Sequence, residues 1–378
     1  MKTVTIGMIG AGRGTQLHCM GYGKVSGLFV RLKSIYDCSV ERMTEAKVRY
    51  GFEETVPSLE AVLRDLEIDV IDICTPPYTH KDMIIQALNH GKHVICEKPL
   101  CGFFGDGNTD KKVMYETVLR DLDELDEAIK KSGKTFMYAE NFIYAPSIVK
   151  AAEIIKAKGS KILYAKGEES LAGSSSAVAG YWEKSGGGTL MRVGSHPLGA
   201  IIWLKSNLNG ARVTRVVSDI TTVSSGLTDY EHRHIQARPT DVEDTATVCL
   251  TFSDNTKAVV IACDTRLGGS LNYVDLYCND AVLECNLTMH NAMSTYLLDE
   301  DGMKNVDISE MLRTKTGWNS PFISDEIMRG YVGEMQDFME AIAYCRKPKS
   351  DFTVAKQTTK VMYAAYLSAH KGEQINIQ

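Results

Sequence analysis

The sequence contains no long hydrophobic run and no block of basic residues. No apolar stretch approaches the roughly 20 residues that a transmembrane helix needs. Acidic residues exceed basic ones and the formal net charge is −6, so neither nucleic acid nor an anionic membrane is expected as a partner. A strand-like run begins at residue 4, which leaves no room for a signal peptide before it.

Cysteines at metal-binding spacing are also absent. The ten cysteines are scattered, with no C-x-x-C pair and no Cys/His cluster at the spacing of a zinc site. Several of them, such as Cys74, Cys96 and Cys263, lie inside apolar runs, where a thiol behaves as a small hydrophobic group. These features favour reduced thiols and a cytoplasmic location, and they predict that no metal is bound.

Apart from these absences, the composition is that of a globular protein. Hydrophobic residues make up 44% and charged residues 24% of the 378 positions, as in ordinary soluble domains. A chain of this length exceeds what one hydrophobic core usually carries, so two domains are expected.

The first motif that predicts a ligand is a glycine-rich turn. Residues 2–9 form a predicted strand that leads into G-A-G-R-G-T at 10–15, and a helix is predicted after it. Gly10 permits the tight turn, Gly12 lets the backbone approach a pyrophosphate, and the helix N-terminus offers free N–H groups to the anion. Thr15 stands where the third glycine usually lies, which costs some closeness of helix-to-strand packing.

An acid follows the second predicted strand. Asp37 comes directly after residues 29–36, about 25 residues after Gly12 and near the spacing at which a carboxylate binds adenosine ribose. It could instead cap the helix predicted over 39–50. Because no arginine follows at once to bind a 2′-phosphate, NAD is favoured over NADP, although Arg42 lies one turn further on.

Strand-like and helical segments alternate through the first part of the chain. This alternation predicts parallel strands with right-handed crossovers, and thus an α/β fold with a doubly wound Rossmann domain over residues 1–141. Beyond it, successive strand-like runs with short turns predict an α+β domain with a largely antiparallel, open sheet over 142–378. Helices predicted over 327–344 and 354–370 follow, and the last helix is expected to pack back on the first domain.

The polar sequence E-K-P interrupts the apolar run at 94–100. Glu97 and Lys98 follow a predicted strand, and Pro99 stops it. Ligands of an α/β sheet bind in the crevice at the carboxyl ends of the strands, where this carboxylate and ammonium would lie. Glu-Lys-Pro is also ordinary turn sequence, so these residues alone leave a surface turn open.

Several stretches together resemble the Gfo/Idh/MocA family of oxidoreductases. They are the glycine turn, D-V-I-D-I-C-T-P-P-Y-T-H at 69–80, C-E-K-P-L at 96–100, G-G-G-T-L-M-R-V-G-S-H at 186–196 and A-A-Y-L-S-A-H-K-G-E at 364–373. The resemblance implies an NAD(P)-linked dehydrogenase of a sugar, cyclitol or related alcohol, and a homo-oligomer built through the open face of the C-terminal sheet. The cofactor contacts expected from these motifs are Gly10, Gly12, Arg13, Gly14, Asp37, Thr75, Pro76, His80, Glu97 and Lys98.

The resemblance also implies two catalytic residues. Lys98 corresponds to the family's lysine near the nicotinamide and the reacting oxygen, and His196 corresponds to its catalytic histidine. Many similar proteins carry aspartates four residues before and three residues after this histidine, where this chain has Arg192 and Gly199. The usual carboxylate partners are therefore missing from their positions.

A histidine and a lysine can divide the work of alcohol oxidation. His196 suits a general base because its unperturbed pKa of about 6.5 lies near neutral pH. Lys98 can stabilise the developing alkoxide or take the proton itself. Pro197 disfavours a helical conformation at His196 and would leave the imidazole at a helix break, pointing outward. A buried or capping histidine is the alternative.

Other side chains are candidate substrate contacts. The guanidinium of Arg192 can donate hydrogen bonds to sugar hydroxyls, and a structural ion pair with a carboxylate is its alternative role. Further candidates are Tyr138, Asn141, Tyr144 and Tyr181, although tyrosine rings commonly serve in packing. A glycine-rich insertion at 101–110 follows the E-K-P motif, and it could form the rim of the substrate site or contact a neighbouring subunit.

Three functions are compatible with these residues. The first is NAD-dependent oxidation of a secondary hydroxyl, preferably C3 of a hexose unit, in a sugar or glycoside, with inositol oxidation as a close variant. The second is a glycosidase whose tightly held NAD oxidises the sugar transiently before elimination. The third is a non-catalytic NAD-sensing regulator, and the presence of Lys98 and His196 speaks against it.

Overall fold

The computed structural model describes residues 1–288, 293, 295–303, 314–319 and 324–377. The first part of the chain builds a sheet of six parallel strands. These strands are β1 (Thr3–Ile9), β2 (Phe29–Tyr36), β3 (Glu54–Thr55), β4 (Val70–Ile73), β5 (His93–Glu97) and β6 (Phe136–Ala139). The helices between them are α1 (Arg13–Tyr22), α2 (Val40–Tyr50), α3 (Leu59–Arg64), α4 (His80–Asn89) and α5 (Lys111–Ser132).

The strand order of this sheet is β3-β2-β1-β4-β5-β6. The order reverses between β1 and β4, which is where doubly wound sheets bind their ligands. Val70, Ile71 and Ile73 of β4 are fully buried, as expected for a central strand covered by helices on both faces. The predicted Rossmann domain is confirmed.

The second part of the chain builds a seven-stranded sheet. Its strands are β7 (Ile162–Ser170), β8 (Val213–Thr221), β9 (Thr245–Phe252), β10 (Lys257–Cys263), β11 (Leu271–Cys278), β12 (Val282–Asn286) and β15 (Ile375–Asn376). They lie in the order β12-β11-β7-β10-β9-β8-β15. All neighbours pair antiparallel except β7 and β10. Two short strands, β13 (Thr295–Leu297) and β14 (Gly317–Asn319), pair separately. The predicted, largely antiparallel sheet is confirmed.

Six helices accompany this sheet in the described part of the chain. They are α6 (Pro146–Lys158), α7 (Trp182–Ser185), α8 (Ser195–Asn209), α9 (Asp325–Met328), α10 (Tyr331–Ala343) and α11 (Phe352–Lys371). None of the helices that the structure describes is long and apolar enough to cross a bilayer.

Helix α8 covers one face of the seven-stranded sheet. A Cβ atom at Gly167 of β7 would lie 2.8 Å from Cβ of Pro197, so the absence of a side chain lets helix and strand approach closely. On the opposite face, Val217 of β8 is 46% exposed. Tyr164 and Tyr277 stack there with their ring centroids 6.1 Å apart. In the described part of the chain, this face of the sheet is therefore open, as predicted.

The last long helices pack on the first domain. Helix α10 crosses α1, where a Cβ atom at Gly21 would lie 2.6 Å from Cγ of Met335. Helix α11 packs along α5, and Lys356 pairs with Asp123 and Asp126 at 2.9 Å each. Helices α10 and α11 thus each pack against a helix of the first part of the chain.

The helix predicted over 327–344 is in fact two helices. Gly330, with φ of 100°, separates α9 from α10. This left-handed conformation is one that glycine adopts readily, and it ends the first helix. Helices α10 and α11 follow residue 141 in sequence but pack on the first domain. The domain boundary at residue 141 therefore stays a prediction.

The insertion at 101–110 is held by other parts of the same chain. The Phe103 N–H donates to the Tyr363 hydroxyl at 2.7 Å, and the Phe103 carbonyl accepts from Nε1 of Trp182 at 3.0 Å. Phe104 meets Tyr78 edge to face, with ring centroids 6.3 Å apart. The insertion thus connects α7 and α11 to the end of β5.

Candidate active site

A cavity of about 280 Å³ lies between the carboxyl ends of the parallel strands and the start of α8. The predicted site residues that line it are Arg13, Gly14, Thr75, Glu97, Lys98, Arg192 and His196. The residues that line it without having been predicted are Leu17, Cys74, Glu169, Leu171, Val193, Arg329 and Tyr331. The fold thus collects residues from both sheets, from α1 and from the start of α10 around one space.

The glycine turn beside this cavity has the shape that a dinucleotide requires. Gly10 has φ of 100°, and a side chain there would collide with the carbonyl of Cys74. Around Gly12, no atom of the described residues lies within 4 Å of a built Cβ, so there is room for a ligand. Gly12 precedes α1 without a side-chain cap, which leaves N–H groups of the first turn for an anion. These features fit the pyrophosphate of NAD.

A hydrogen bond accommodates Thr15 at the third glycine position. Its hydroxyl donates to the Gly10 carbonyl at 2.8 Å, and the residue is buried. This bond ties the helix to the turn and so offsets part of the expected loss of close packing. Gly14, one residue earlier, lies close to Glu97 of the E-K-P motif. A Cβ atom added at Gly14 would lie 3.3 Å from Cγ of Glu97.

Asp37 lies at the carboxyl end of β2, beside the glycine turn. Its carboxylate accepts hydrogen bonds from the Ala11 and Ser39 N–H groups, each at 2.8 Å. The cap of α2 is Ser39 and not Asp37, so the capping alternative is not needed. Arg42 donates to Asp37 at 3.1 Å. The preference for NAD over NADP stays a prediction, because Arg42 is near enough to meet a 2′-phosphate.

Five predicted cofactor contacts do not line the cavity. Gly10, Gly12 and Asp37 lie at the glycine turn beside it, whereas Pro76 and His80 have other surroundings. His80 is fully buried, with Nδ1 2.8 Å from the Pro99 carbonyl and Nε2 2.9 Å from the Thr75 carbonyl. Burial lowers the pKa of His80. Pro76 caps a short 3₁₀ turn at the surface. His80 therefore supports the two loops that carry Thr75 and Pro99 instead of facing the cavity.

Lys98 reaches from the first sheet to the second domain. Its ammonium donates to the backbone carbonyl of Arg192. Its backbone N–H donates to Oε2 of Glu97 at 2.9 Å. Because His196 lines the same cavity, the structure brings the predicted lysine and histidine together.

His196 is paired with a carboxylate that the sequence analysis did not identify. Its Nδ1 lies 2.7 Å from Oε1 of Glu140, a fully buried residue directly after β6. The imidazole also stacks on Phe142, with ring centroids 4.9 Å apart and an interplanar angle of 20°. With Nδ1 committed to Glu140, Nε2 is the ring nitrogen left for the cavity.

The absence of a side chain at Gly199 makes room for this carboxylate. A Cβ atom at that position would lie 2.9 Å from Cγ of Glu140. Similar proteins commonly carry an aspartate there, whereas here the Glu140 side chain reaches the space from another element. The available signal was an acid directly after a parallel strand, at the same edge of the sheet as Glu97.

The prediction that Pro197 interrupts the helix at His196 is wrong. A π-helical turn, Leu190–Gly194, runs directly into α8, and His196 is the second residue of α8. Pro197 lies in the first turn, where a missing N–H costs little. The His196 side chain is only 7% exposed, so the imidazole does not point outward to solvent.

Burial and nearby charges determine the protonation of the pair. Burial, and then the cations Lys98 and Arg329, lower the pKa of His196 well below its ordinary value. Burial raises the pKa of Glu140 well above its ordinary value; Lys98 opposes this shift and Glu334 adds to it. His196 is therefore neutral at neutral pH, the state that a general base requires.

The position of Arg192 is compatible with both roles considered for it, a structural ion pair and a substrate contact. Its guanidinium pairs with Asp264, which also accepts a hydrogen bond from the Thr189 hydroxyl at 3.1 Å. The Arg192 side chain is 23% exposed and lines the cavity. The ion pair thus holds the guanidinium at the cavity wall.

The structure does not bring the other predicted substrate contacts to the cavity. Asn141 is buried and donates to the Arg329 carbonyl at 2.8 Å. Tyr144 is buried and donates to Asp337 at 2.8 Å. Tyr181 is 46% exposed and does not line the cavity. Polar residue type alone could not distinguish hydrogen bonds inside the fold from contacts with a ligand.

Family models match both parts of the chain. Residues 4–139 match the oxidoreductase family with an NAD-binding Rossmann fold, and residues 165–284 match the GFO/IDH/MocA C-terminal domain. The chain belongs to the Gfo/Idh/MocA family. The first match places the NAD-binding region of the family over the glycine turn and the E-K-P motif described above.

Relatives within the Gfo/Idh/MocA family include sugar and inositol dehydrogenases. Levoglucosan dehydrogenase of Pseudarthrobacter phenanthrenivorans is 34% identical over 125 residues, which are 31% of each chain. Inositol 2-dehydrogenase of Rhizobium meliloti is 33% identical over 99 residues, 26% of this chain and 28% of that protein. The matched segments thus span less than a third of these relatives. The crystal structure of GenD2 from gentamicin A biosynthesis in complex with NAD has a TM-score of 0.82 at 19% identity, over 100% of this chain and 97% of that one.

One buried cluster in this family member contains potential metal ligands that are distant in sequence. Ligand atoms of His18, Asp72 and Cys74 all lie within 4.8 Å of one another. The contacts between His18 Nδ1 and the Asp72 oxygens, at 2.9 and 3.0 Å, have hydrogen-bond lengths. Burial raises the pKa of the Cys74 thiol to about 12, which opposes the thiolate that a metal would bind. The absence of a metal stays a prediction.

Proposed function

We propose that this protein oxidises a secondary hydroxyl of a sugar or glycoside, with C3 as the preferred position, and that it uses NAD. The observation that supports this most is the shared cavity of Lys98 and His196, which opens beside the glycine turn. A secondary alcohol in this space would have its oxygen near an ammonium and an imidazole. The chemistry that NAD supplies when bound is acceptance of a hydride.

The proton steps are assigned to residues of this chain. In the productive state, the Nδ1–H of His196 donates to Glu140 and Nε2 takes the proton of the substrate hydroxyl. The ammonium of Lys98 stabilises the negative charge that develops on the oxygen. Glu140 acts as a positioning residue, because its hydrogen bond selects the tautomer and the orientation of the ring.

The same geometry is compatible with an inositol as substrate. A cyclitol offers the same secondary hydroxyls, and an inositol 2-dehydrogenase is among the relatives. Arg192, held by Asp264 at the cavity wall, is proposed to donate hydrogen bonds to the hydroxyls next to the one that reacts. The sugar remains the first choice because levoglucosan dehydrogenase matches a longer segment.

We further propose a cytoplasmic homo-oligomer with no nucleic-acid partner. Ten free thiols are consistent with a reducing compartment. The open face of the C-terminal sheet, with Val217, Tyr164 and Tyr277 at its surface, is the proposed subunit contact. Sedimentation of the purified protein tests the oligomer.

A substrate screen tests the proposed activity. The purified protein is mixed with NAD and a panel of hexoses, glucosides, levoglucosan and inositols, and absorbance of NADH is followed. A dehydrogenase accumulates NADH in proportion to keto product. A glycosidase with recycled NAD releases the aglycone without net NADH, and a regulator binds NAD without turnover. Either of the last two results would overturn the proposal.

A further inference from the structure

A buried histidine in the cofactor-binding helix contacts two carboxylates. His18 lies on α1, and its side chain is completely buried. Its Nδ1 lies 2.9 and 3.0 Å from the two oxygens of Asp72 on β4. Its Nε2 lies 3.3 Å from Oε1 of Glu97 at the end of β5, an ion-pair contact without good hydrogen-bond direction.

Because the two carboxylates are buried or nearly so, they need hydrogen-bond donors or a positive charge beside them. Asp72 is fully buried and Glu97 has a side-chain exposure of 15%. Buried carboxylates need donors or opposite charge. A neutral imidazole would turn a lone pair towards one of the two acids, whereas an imidazolium presents an N–H to each. The geometry therefore favours the charged ring.

A continuous series of contacts connects His18 to Lys98, the lysine proposed to act on the substrate. The Tyr22 hydroxyl donates to Asp72 at 2.7 Å, and Asp72 accepts from His18. His18 faces one oxygen of Glu97, and the other oxygen accepts the backbone N–H of Lys98 at 2.9 Å. Two of these five residues, Tyr22 and His18, belong to the helix that begins at the dinucleotide turn.

We propose that His18, by bridging the carboxylates of Asp72 and Glu97, is a positioning residue that holds Glu97 and Lys98 in place against the helix of the dinucleotide turn. This inference rests on the proposed dehydrogenase function, in which Lys98 stabilises the developing alkoxide. His18 itself does not line the cavity and takes no part in proton transfer to the substrate.

The surroundings of His18 agree with a charged ring. Acidic groups face it from three elements: Asp72 from β4, Glu97 from β5 and Glu334 from α10. The thiols of Cys74 and Cys19 are its other titratable neighbours, together with the Tyr22 hydroxyl. Burial lowers the pKa of His18, but the charge of Asp72 and the hydrogen bonds with Asp72 and Cys74 outweigh it and raise the pKa well above its ordinary value.

Two substitutions at His18 separate its two contacts. In His18→Asn, the side-chain amide nitrogen would lie near the former Nδ1 and keep the bond to Asp72, so this variant removes only the contact with Glu97. In His18→Gln, the longer side chain would place its amide nitrogen near the former Nε2, so this variant keeps a donor for Glu97. Tyr22→Phe is the matched control, because it removes a hydrogen bond to Asp72 without touching Glu97.

Kinetics and amide exchange then test the positioning role. We expect His18→Asn to lower kcat at least about tenfold with NAD affinity within about threefold, and His18→Gln and Tyr22→Phe to keep kcat within about threefold. The Lys98 amide should exchange at least about tenfold faster in His18→Asn than in the control. Unchanged kcat and unchanged Lys98 exchange in a folded His18→Asn protein would overturn the proposal.

The charge of the ring is measured on the unmodified protein. Two-bond nitrogen spectra of the full chain, assigned with His18→Gln, should show both His18 nitrogens protonated near about pH 7. A neutral ring would overturn the bridge even if every variant misfolded. If no sugar or inositol is oxidised, the proposed function fails, whereas the nitrogen spectra and Lys98 exchange still decide whether His18 holds this segment.

Discussion

His18 and His196 are both buried histidines beside a carboxylate, yet their pKa values shift in opposite directions. His18 has acids at both ring nitrogens, and the pKa is raised. His196 has one acid at Nδ1, with Lys98 and Arg329 near the ring, and the pKa is lowered. Burial lowers both, so the other charges decide the sign. The same residue type can thus serve as a fixed cation in one place and as a base in another.

The largest effects are expected where the ring must act as a base. We predict that His196→Ala and Lys98→Ala each lower kcat at least about a hundredfold, because general acid–base groups typically contribute about 10²–10⁴-fold. NAD affinity should stay within about threefold, since the glycine turn and Asp37 are untouched. Steady-state kinetics and NADH fluorescence titrations measure both quantities. Arg192→Ala is the comparison variant and should act mainly on KM for the sugar.

A His196→Ala enzyme with near-normal kcat would mean that the base lies elsewhere. Lys98 would then be the first candidate for proton acceptance, and its alanine variant would show the larger loss.

A smaller effect is expected from the acid that orients His196. Glu140→Gln keeps an acceptor for Nδ1 but also offers an amide N–H donor to it, so the ring can adopt the unproductive tautomer. We predict that kcat falls at least about tenfold while the folded structure is retained. Gly199→Ala should have a similar effect, because its Cβ would displace the Glu140 side chain. Equal kcat in the wild type, Glu140→Gln and Gly199→Ala would show that Glu140 is only a buried hydrogen-bond partner.

The opposite pKa shifts predict opposite pH dependences of stability. The raised pKa of His18 contributes stability that is fully present below the unfolded value of about 6.5 and is lost as pH rises through the folded pKa. The lowered pKa of His196 contributes stability that is present above about 6.5 and is lost as pH falls towards the folded value. His18→Gln should therefore lower Tm most at acidic pH, whereas His196→Gln should make Tm less sensitive to acid.

Thermal unfolding across about pH 4–10 checks these signs. The same buffers should give an acidic limb of kcat/KM well below about pH 6.5 in the wild type, because His196 must be neutral to accept a proton and its pKa is lowered. If His18→Gln and His196→Gln changed Tm in the same way across this pH range, the opposite pKa shifts of the two histidines would be contradicted.

A substitution outside both histidine sites should change cofactor preference alone. Asp37→Ser removes the carboxylate that would repel a 2′-phosphate, while Arg42 remains. We predict a clear preference of the wild type for NAD and a smaller ratio of NAD to NADP affinity in the variant. Equal binding of both cofactors by the wild type would show that Asp37 does not bind the ribose.

The smallest effect is expected from chelation, which tests whether the cluster of His18, Asp72 and Cys74 binds a metal. If His18, Asp72 and Cys74 only hydrogen-bond to one another, prolonged EDTA treatment should leave both kcat and Tm unchanged. Elemental analysis of the purified protein provides the control. Loss of activity that zinc or manganese restores would assign the cluster to a metal instead.

Local sequence patterns were sufficient for the fold and for part of the site. Turn glycines and strand periodicity act through the local backbone conformation, so the glycine turn and the strand that leads into Lys98 could be placed from the chain alone. His196 could be named from its motif, but the helix break predicted there is absent. The parallel sheet then determined which strand ends meet. For these residues the neighbours in sequence carry the information.

Only the tertiary structure decided which partners surround the two histidines. Glu140 lies 56 residues from His196 and Asp72 lies 54 residues from His18, and neither pair has a spacing that a motif would reveal. The room at Gly199 depends on how α8 docks beside β6. Buried polar groups must find partners wherever the packed elements place them, so the pairing, and with it the charge of each ring, follows from packing.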